Sequence, residues 1–184
     1  MKTLTPERFW NVFSNEIGKD FNLYENEMRK KYCSNTNWTK YMTEKLDNIG
    51  KSKFNCKSIV NEYWPRIDIA CFDNEADDWG KWALEVAIEI ENNPQKWNEE
   101  CRKLLMINCG LKVIIGYRYR TIVDLEKELA KLEKIHKSRK YHRMNDSWIL
   151  IFGPMSIEKD NIDFVAYKML NGKIEPMRKK KIIY

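Results

Sequence analysis

The segment WALEVAIEIE, residues 82–91, has the most regular pattern in the chain. Its even-numbered residues are all large and apolar, whereas its odd-numbered residues are alanine or glutamate. Successive side chains of a β-strand point to opposite faces of a sheet. The pattern therefore predicts a strand with one face in the core. The other face carries Glu85, Glu89 and Glu91, and the intervening alanines leave room above these carboxylates.

The segments around this strand predict an α/β fold with a mixed central β-sheet flanked by helices. Further strands are predicted over 58–62, 66–72, 111–117, 147–153, 163–170 and 173–177. Helices are predicted over 24–32, 38–48, 94–108 and 122–138, and a first helix begins at Thr5-Pro6 and ends near Gly18. Asn48-Ile49-Gly50 should stop the third helix. Asn171-Gly172 should form the turn of a hairpin.

The composition favours a folded, soluble protein. Apolar residues make up 43% of the 184 residues, and seven Trp, nine Tyr and seven Phe supply ample area for a core. Neither a signal-peptide h-region nor an apolar run near the roughly 20 residues of a membrane span occurs, so a cytoplasmic protein without a membrane partner is expected. Five Cys without a CxxC pair, and only two His, argue against a disulfide framework and a zinc site.

The positive charge is concentrated in the second part of the chain. The net charge is +6, and residues 118–184 carry 16 basic residues against 9 acidic ones. This distribution suits a nucleic-acid partner, because basic side chains neutralise phosphates without reading sequence. The candidate phosphate contacts are Arg118, Arg120, Lys137, Arg139, Lys140 and Arg143. A charged, solvated surface is the alternative interpretation.

Asp68 lies on the predicted strand 66–72, on the face opposite Ile67, Ile69 and Cys71. If this strand pairs with 82–91 as a hairpin, Asp68 comes close to Glu89 and Glu91. Carboxylates at that separation repel one another, and a hard cation such as Mg²⁺ or Mn²⁺ relieves the repulsion. Alternatively, Asp68 binds a nearby loop and the glutamates form the exposed face of an antiparallel strand.

The stretches PRIDIACF (65–72) and ALEVAIEIENNPQKW (83–97) resemble the PD-(D/E)XK nuclease superfamily, which has the restriction-endonuclease-like fold. The core order of that family is helix, three antiparallel strands, helix and a further strand, which is similar to residues 5–117. The resemblance implies a single domain over 1–184. It would comprise N-terminal helices (1–50), a catalytic core (58–117), and a helix with additional strands (118–184).

The resemblance also implies a site. In the family, an Asp that opens the second strand and an acidic residue in the third bind Mg²⁺, and a Lys two residues later orients or deprotonates the attacking water. Asp68 is similar to the Asp and Glu89 to the second acid, but Glu91 occupies the position of the Lys. Glu-x-Glu occurs among some restriction enzymes of this fold, although it also fits an inactive copy.

Lys103 on the next helix is a substitute for the absent Lys, because in some branches of the family the Lys has migrated to this helix. An exposed Glu99–Lys103 pair is the alternative. The implied catalytic residues are thus Asp68, Glu89, Glu91 and Lys103, with Asp68, Glu89 and Glu91 as metal ligands.

The expected function is hydrolysis of phosphodiester bonds by a metal-dependent endonuclease. DNA is the expected substrate, in restriction, defence or repair, and a homodimer is a further expectation. The alternative is an inactive nucleic-acid-binding or protein-interaction module that retains the nuclease fold.

Overall fold

The strands lie side by side in chain order in one mixed sheet. The computed structural model describes residues 4–63, 67–73, 84–119, 121–138, 147–154 and 164–177. Its helices are α1 (Pro6–Cys33), α2 (Asn35–Phe54), α3 (Trp97–Leu105) and α4 (Ile122–Lys137), and a 3₁₀ turn, Pro94–Lys96, precedes α3. Its strands are β1 (Cys56–Tyr63), β2 (Ile67–Asp73), β3 (Leu84–Glu91), β4 (Leu111–Tyr119), β5 (Ser147–Pro154), β6 (Val165–Leu170) and β7 (Lys173–Pro176).

The sheet is parallel at its centre and antiparallel at its sides. β1, β2 and β3 form an antiparallel meander, β3, β4 and β5 are parallel, and β6 and β7 return to antiparallel pairing. Parallel neighbours need a crossover connection, which α3 and α4 provide. The predicted α/β class with a mixed, helix-flanked sheet is therefore confirmed.

The two helix pairs cover opposite faces of the sheet. One apolar core contains α1, α2 and strand residues such as Ile69, Ile88 and Ile90. The other contains α3, α4 and strand residues such as Ala70 and Ala87. From Val86 to Ile90 the residues of β3 thus alternate between two cores rather than between a core and solvent. The predicted single face of the even-numbered residues is wrong at Leu84, which lies in the second core because the register between β2 and β3 shifts there. Within the described ranges, no helix has both the length and the apolar content that a membrane crossing requires.

Two helix ends that the sequence predicts are wrong. Thr5 caps α1 as expected, because its side chain accepts a hydrogen bond from the backbone N–H of Arg8. The helix does not end at Gly18, since buried residues such as Phe21 and Met28 continue its apolar stripe, and only Tyr24 departs from helical geometry. Packing outweighs the weak helix propensity of a single glycine.

The predicted stop at residues 48–50 also fails, and α2 continues to Phe54. Ile49, Gly50 and Phe54 are buried, and a Cβ at position 50 would meet the Sγ of Cys71 at 3.3 Å. Gly50 therefore permits close contact with the sheet and does not end the helix. Asn55, with a φ of 54°, ends it instead. The expected boundary of the N-terminal helices at residue 50 thus falls inside α2.

The hairpin turn at Asn171-Gly172 is confirmed. Both residues have positive φ, 51° and 74°, between β6 and β7. This is the backbone conformation that a two-residue turn of type I′ requires.

The predicted helix over 94–108 is shorter and consists of the 3₁₀ turn and α3. Residues 74–83, which connect β2 to β3 and include the predicted start of the strand at Trp82, lie outside the described residues.

Candidate functional site

Asp68 and Glu89 come together through the register of β2 and β3. The pairing of Ile69 with Ile88 and of Ala70 with Ala87 puts Asp68 opposite Glu89. The Oδ2 atom of Asp68 accepts a hydrogen bond of 2.7 Å from the backbone N–H of Ile90. This bond fixes the Asp68 carboxyl against the next strand, on the side of the sheet that α3 covers.

Helix α3 adds a lysine and a third carboxylate. The Nζ atom of Lys103 lies 2.9 Å from Oε1 of Glu89 and 2.5 Å from Oε2 of Glu100. The side chain of Glu89 is only 1% exposed, whereas that of Lys103 is 30% exposed. Asp68, Glu89, Glu100 and Lys103 are called the buried cluster below. Lys103 connects its interior to the surface.

Burial dominates the electrostatics of the cluster. Removal from water raises the pKa of Glu89 to about 9, against the opposing effect of Lys103, and the nearby charges of Asp68 and Glu100 add to the rise. Burial also raises the pKa of Asp68, although the N–H of Ile90 opposes this rise. At neutral pH, Glu89 therefore holds a proton in the metal-free protein.

Lys103 stays charged in this setting. Desolvation lowers the pKa of Lys103, but its hydrogen bonds to Glu100 and Glu89 outweigh this effect and raise the pKa above its usual value. The ammonium group is therefore protonated at neutral pH. It lies at the partly open side of the cluster, where an anionic ligand would meet it.

Glu91 has other partners. Its carboxylate accepts a hydrogen bond of 2.7 Å from the backbone N–H of Asn93, and its carbonyl oxygen accepts one of 3.0 Å from Nε1 of Trp97. Both contacts hold the turn between β3 and α3. Of the four predicted catalytic residues, the structure thus brings together Asp68, Glu89 and Lys103, and it engages Glu91 in shaping this turn.

Sequence reasoning missed Glu100. It singled out Glu99, which is exposed, as the partner of Lys103. The i,i+3 spacing of Glu100 and Lys103 was the available signal, since residues three apart lie on one face of a helix. What the sequence could not show is that this face of α3 turns toward Glu89.

The donor set suits a cation that takes few protein ligands. Within the described ranges, no group of three or more His, Cys, Asp or Glu side chains is arranged to hold a metal ion. Mg²⁺ retains several waters and often binds one or two carboxylates together with substrate phosphates. Asp68 and Glu89 meet this requirement once Glu89 gives up its proton. Glu91, which is committed to Asn93, is not required as a ligand.

Most of the predicted phosphate contacts lie outside the described residues. Lys137 lies at the exposed end of α4 and pairs with Glu133 at 3.0 Å. The backbone of Arg118 belongs to β4, but its side chain is outside the described part. Arg120, Arg139, Lys140 and Arg143 also lie outside it. These residues therefore stay sequence-based predictions.

Comparison with known proteins identifies no relative. No protein-family model matches the chain, no curated protein matches it, and no solved structure matches it. The resemblance to the PD-(D/E)XK nucleases thus depends on the quoted residues alone.

Proposed function

We propose that this chain is a metal-dependent nuclease of the restriction-endonuclease-like fold that hydrolyses phosphodiester bonds, with DNA as its substrate. The observation that carries the proposal is the meeting of Asp68, Glu89 and Lys103. These residues come from two adjacent strands and the following helix. They are the two acids and the migrated lysine that the family resemblance implies.

The element order supports the same proposal. A helix precedes the antiparallel meander of β1, β2 and β3, and α3 then leads to β4, which is parallel to β3. This is the order of the family core. Asp68 lies near the beginning of β2 and Glu89 near the end of β3, so that antiparallel pairing places them at the same edge of the sheet.

In this proposal Asp68 and Glu89 hold a Mg²⁺ or Mn²⁺ ion. A bound divalent cation supplies a water of lowered pKa and neutralises charge on the phosphoryl oxygens. Once Glu89 has released its proton to the solvent, Lys103 would pair with its carboxylate and would present the partly exposed ammonium group to the phosphate or to the attacking water. Glu100 keeps Lys103 charged and directed toward the cluster. Glu91 positions the adjoining turn and does not activate water.

A cleavage assay with matched variants tests the proposal. Asp68→Asn and Lys103→Met should each lower the rate of plasmid nicking by about 10²-fold or more, because they remove a ligand and the water-orienting charge. Glu91→Gln should retain most activity. Glu85→Gln is the control, since Glu85 lies on the same strand outside the cluster. The nuclease proposal would be refuted if the wild-type protein left single-stranded, duplex and branched DNA intact with both Mg²⁺ and Mn²⁺.

Metal binding provides a second readout that does not depend on catalysis. Added Mn²⁺ should raise the melting temperature of the wild type but not of Asp68→Asn, because ligands that bind the native state stabilise it. The Mn²⁺ affinity should increase as the pH rises toward 9, since Glu89 must first release its proton. An affinity that does not change over this pH range would argue against Glu89 as a ligand.

A second candidate function is a nucleic-acid-binding module without catalysis. The nearly complete burial and raised pKa of Glu89 favour it, since both also suit a structural carboxyl pair. Such a module would bind DNA with an affinity that falls steeply with salt and would not cut it. Parallel binding and cleavage measurements separate the two functions.

Sedimentation with and without DNA tests the homodimer that cutting both strands would favour.

A further inference from the structure

A large cavity lies at the carboxyl ends of the central strands. Its volume is about 870 Å³, within the roughly 300–1,000 Å³ of typical ligand sites. Asn92 and Asn93 directly follow β3, Tyr119 ends β4, and the first residues of α2 and α4 form the flanking walls. Ligands of open α/β sheets bind outside the carboxyl ends of parallel strands. None of the residues of the buried cluster lines this cavity.

The lining combines an apolar floor with a rim of amides. Trp97, Leu125 and the ring of Tyr119 supply the apolar part. Within the described part of the chain, the side-chain amides of Asn35, Asn92 and Gln95 form no hydrogen bond, although all three belong to the lining. Each amide can both donate and accept hydrogen bonds. The lining therefore fits a flat ligand that is apolar on its faces and polar along its edges.

Two lysines and the two carboxylates that pair with them border this cavity, and Lys40 and Glu44 line the concavity beyond it. The Nζ atom of Lys127 lies 3.9 Å from Oδ1 of Asp124, and that of Lys131 lies 2.5 Å from Oε1 of Glu128. Both lysine side chains are more than half exposed. Exposed pairs of this kind contribute little to stability, so the ammonium groups can turn toward a phosphate. A second concavity of about 560 Å³ shares Asn35 and Asn92 with the first and extends along α2 past Thr36 and Lys40. Hydroxyl and ammonium groups are the usual contacts to a phosphate backbone.

We propose that the cavity accepts one unpaired nucleobase of a nucleic-acid strand and that the concavity along α2 receives the adjoining backbone. The substrate would then be single-stranded or would contain an extrahelical base. This inference builds on the proposed function, because it names the substrate class of the same protein surface. A fully paired duplex cannot place a base in the cavity without breaking a pair and unstacking it.

The turn after β3 connects the cavity to the buried cluster. Glu91 is two residues from Glu89. It accepts hydrogen bonds from Asn93 and Trp97, which both line the cavity. A base seated against these residues would place its own phosphate near the end of β3. This arrangement accounts for the contacts of Glu91, which orients the wall of the base site.

The test measures binding in EDTA, so that cleavage plays no part. Fluorescence anisotropy should show that the wild type binds a single strand, or a duplex with one extra base, about tenfold more tightly than the paired duplex. Asn92→Leu should lose most of this preference. Asn108→Leu is the matched control, because Asn108 is an exposed asparagine outside the cavity. Lys127→Ala should weaken binding to all strands alike.

Several results would overturn the inference. Equal binding of paired and unpaired substrates would do so, as would an Asn92→Leu protein that keeps the full preference while circular dichroism shows it folded. A mononucleotide or an oligosaccharide that binds as tightly as the oligonucleotide would show that the cavity serves a different ligand. If the wild type did not cleave DNA in the metal assay but still preferred unpaired substrates, the nuclease proposal would be refuted and the proposed base site would not.

Discussion

Two clusters of similar composition differ in their surroundings. The buried cluster sets Asp68, Glu89 and Glu100 around Lys103 between the sheet and α3. The interhelical cluster, between α1 and α2, sets Glu16 and Asp20 around Lys45: Nζ lies 2.8 Å from Asp20 and 3.9 Å from Glu16. In the second cluster the side chains keep about a fifth of their exposure, whereas Glu89 retains 1%.

The pKa values of Glu16 and Glu89 shift in opposite directions. The hydrogen bond from Lys19 lowers the pKa of Glu16, and Lys53 and Lys45 assist. Burial raises the pKa of Glu89 although a lysine lies equally close. In the interhelical cluster the raised pKa is that of Tyr41. Its burial and the hydrogen bond of 2.6 Å that it donates to Asp20 both raise this pKa. Access to water, more than the count of neighbouring charges, thus decides the protonation state.

The largest expected effect concerns Glu89. In the unfolded chain Glu89 ionises near its ordinary pKa, whereas the folded protein keeps it protonated up to about pH 9. The stability of the metal-free protein should therefore fall as the pH rises from about 5 to 9. Glu89→Gln, which resembles the protonated acid, should remove this fall and stabilise the protein by several kcal/mol at about pH 8.

Urea unfolding in EDTA at a series of pH values measures this difference. Glu99→Gln, at an exposed carboxylate of α3, controls for the loss of a carboxylate. A Glu89→Gln protein that follows the pH profile of the wild type would show that Glu89 is ionised in the folded state. The contrast between the two clusters would then disappear.

The next effect compares the two central lysines. Lys103→Met should destabilise the metal-free protein by about 1 kcal/mol, because Glu100 loses its partner while Glu89 is already neutral. Lys45→Met should lose less, since water replaces the ammonium group at its partly exposed site. Equilibrium unfolding at neutral pH measures both. A larger loss for Lys45→Met would reverse the assignment of the two environments.

The smallest effect is at Glu16, and its sign is opposite to that of Glu89. Because the pKa of folded Glu16 is lowered, this group stabilises the protein above its ordinary pKa, and the contribution is lost as the pH falls through the folded value. Glu16→Gln should therefore cost a few tenths of a kcal/mol at neutral pH, and the cost should shrink as the pH falls below the ordinary pKa of Glu16. Moderate salt should also remove the difference, and a deficit that persists in salt would indicate lost packing.

Secondary structure followed from local sequence where the pattern was strong. The alternation in residues 82–91 predicted the strand and the common face of Glu89 and Glu91, but not the face of Glu85, because the register against β2 shifts there and puts Leu84 and Val86 in different cores. The Asn171-Gly172 turn and the Thr5 cap were also correctly predicted, because each depends on backbone chemistry within a few residues. The helix ends predicted at Gly18 and Gly50 were wrong, because buried contacts with distant residues outweighed local helix propensity.

The candidate site was only half determined by the sequence. Spacing along β2 and β3 was enough to bring Asp68 beside Glu89, because strand parity and antiparallel pairing leave few alternatives. Glu91 shares the parity of Glu89, but the chain turns directly after it, so its carboxylate meets the Asn93 N–H instead. The part played by Lys103 and Glu100 depends on how α3 rotates against the sheet. Packing of Trp97, Cys101 and Leu104 into the second core sets that rotation, and only the tertiary structure could reveal it.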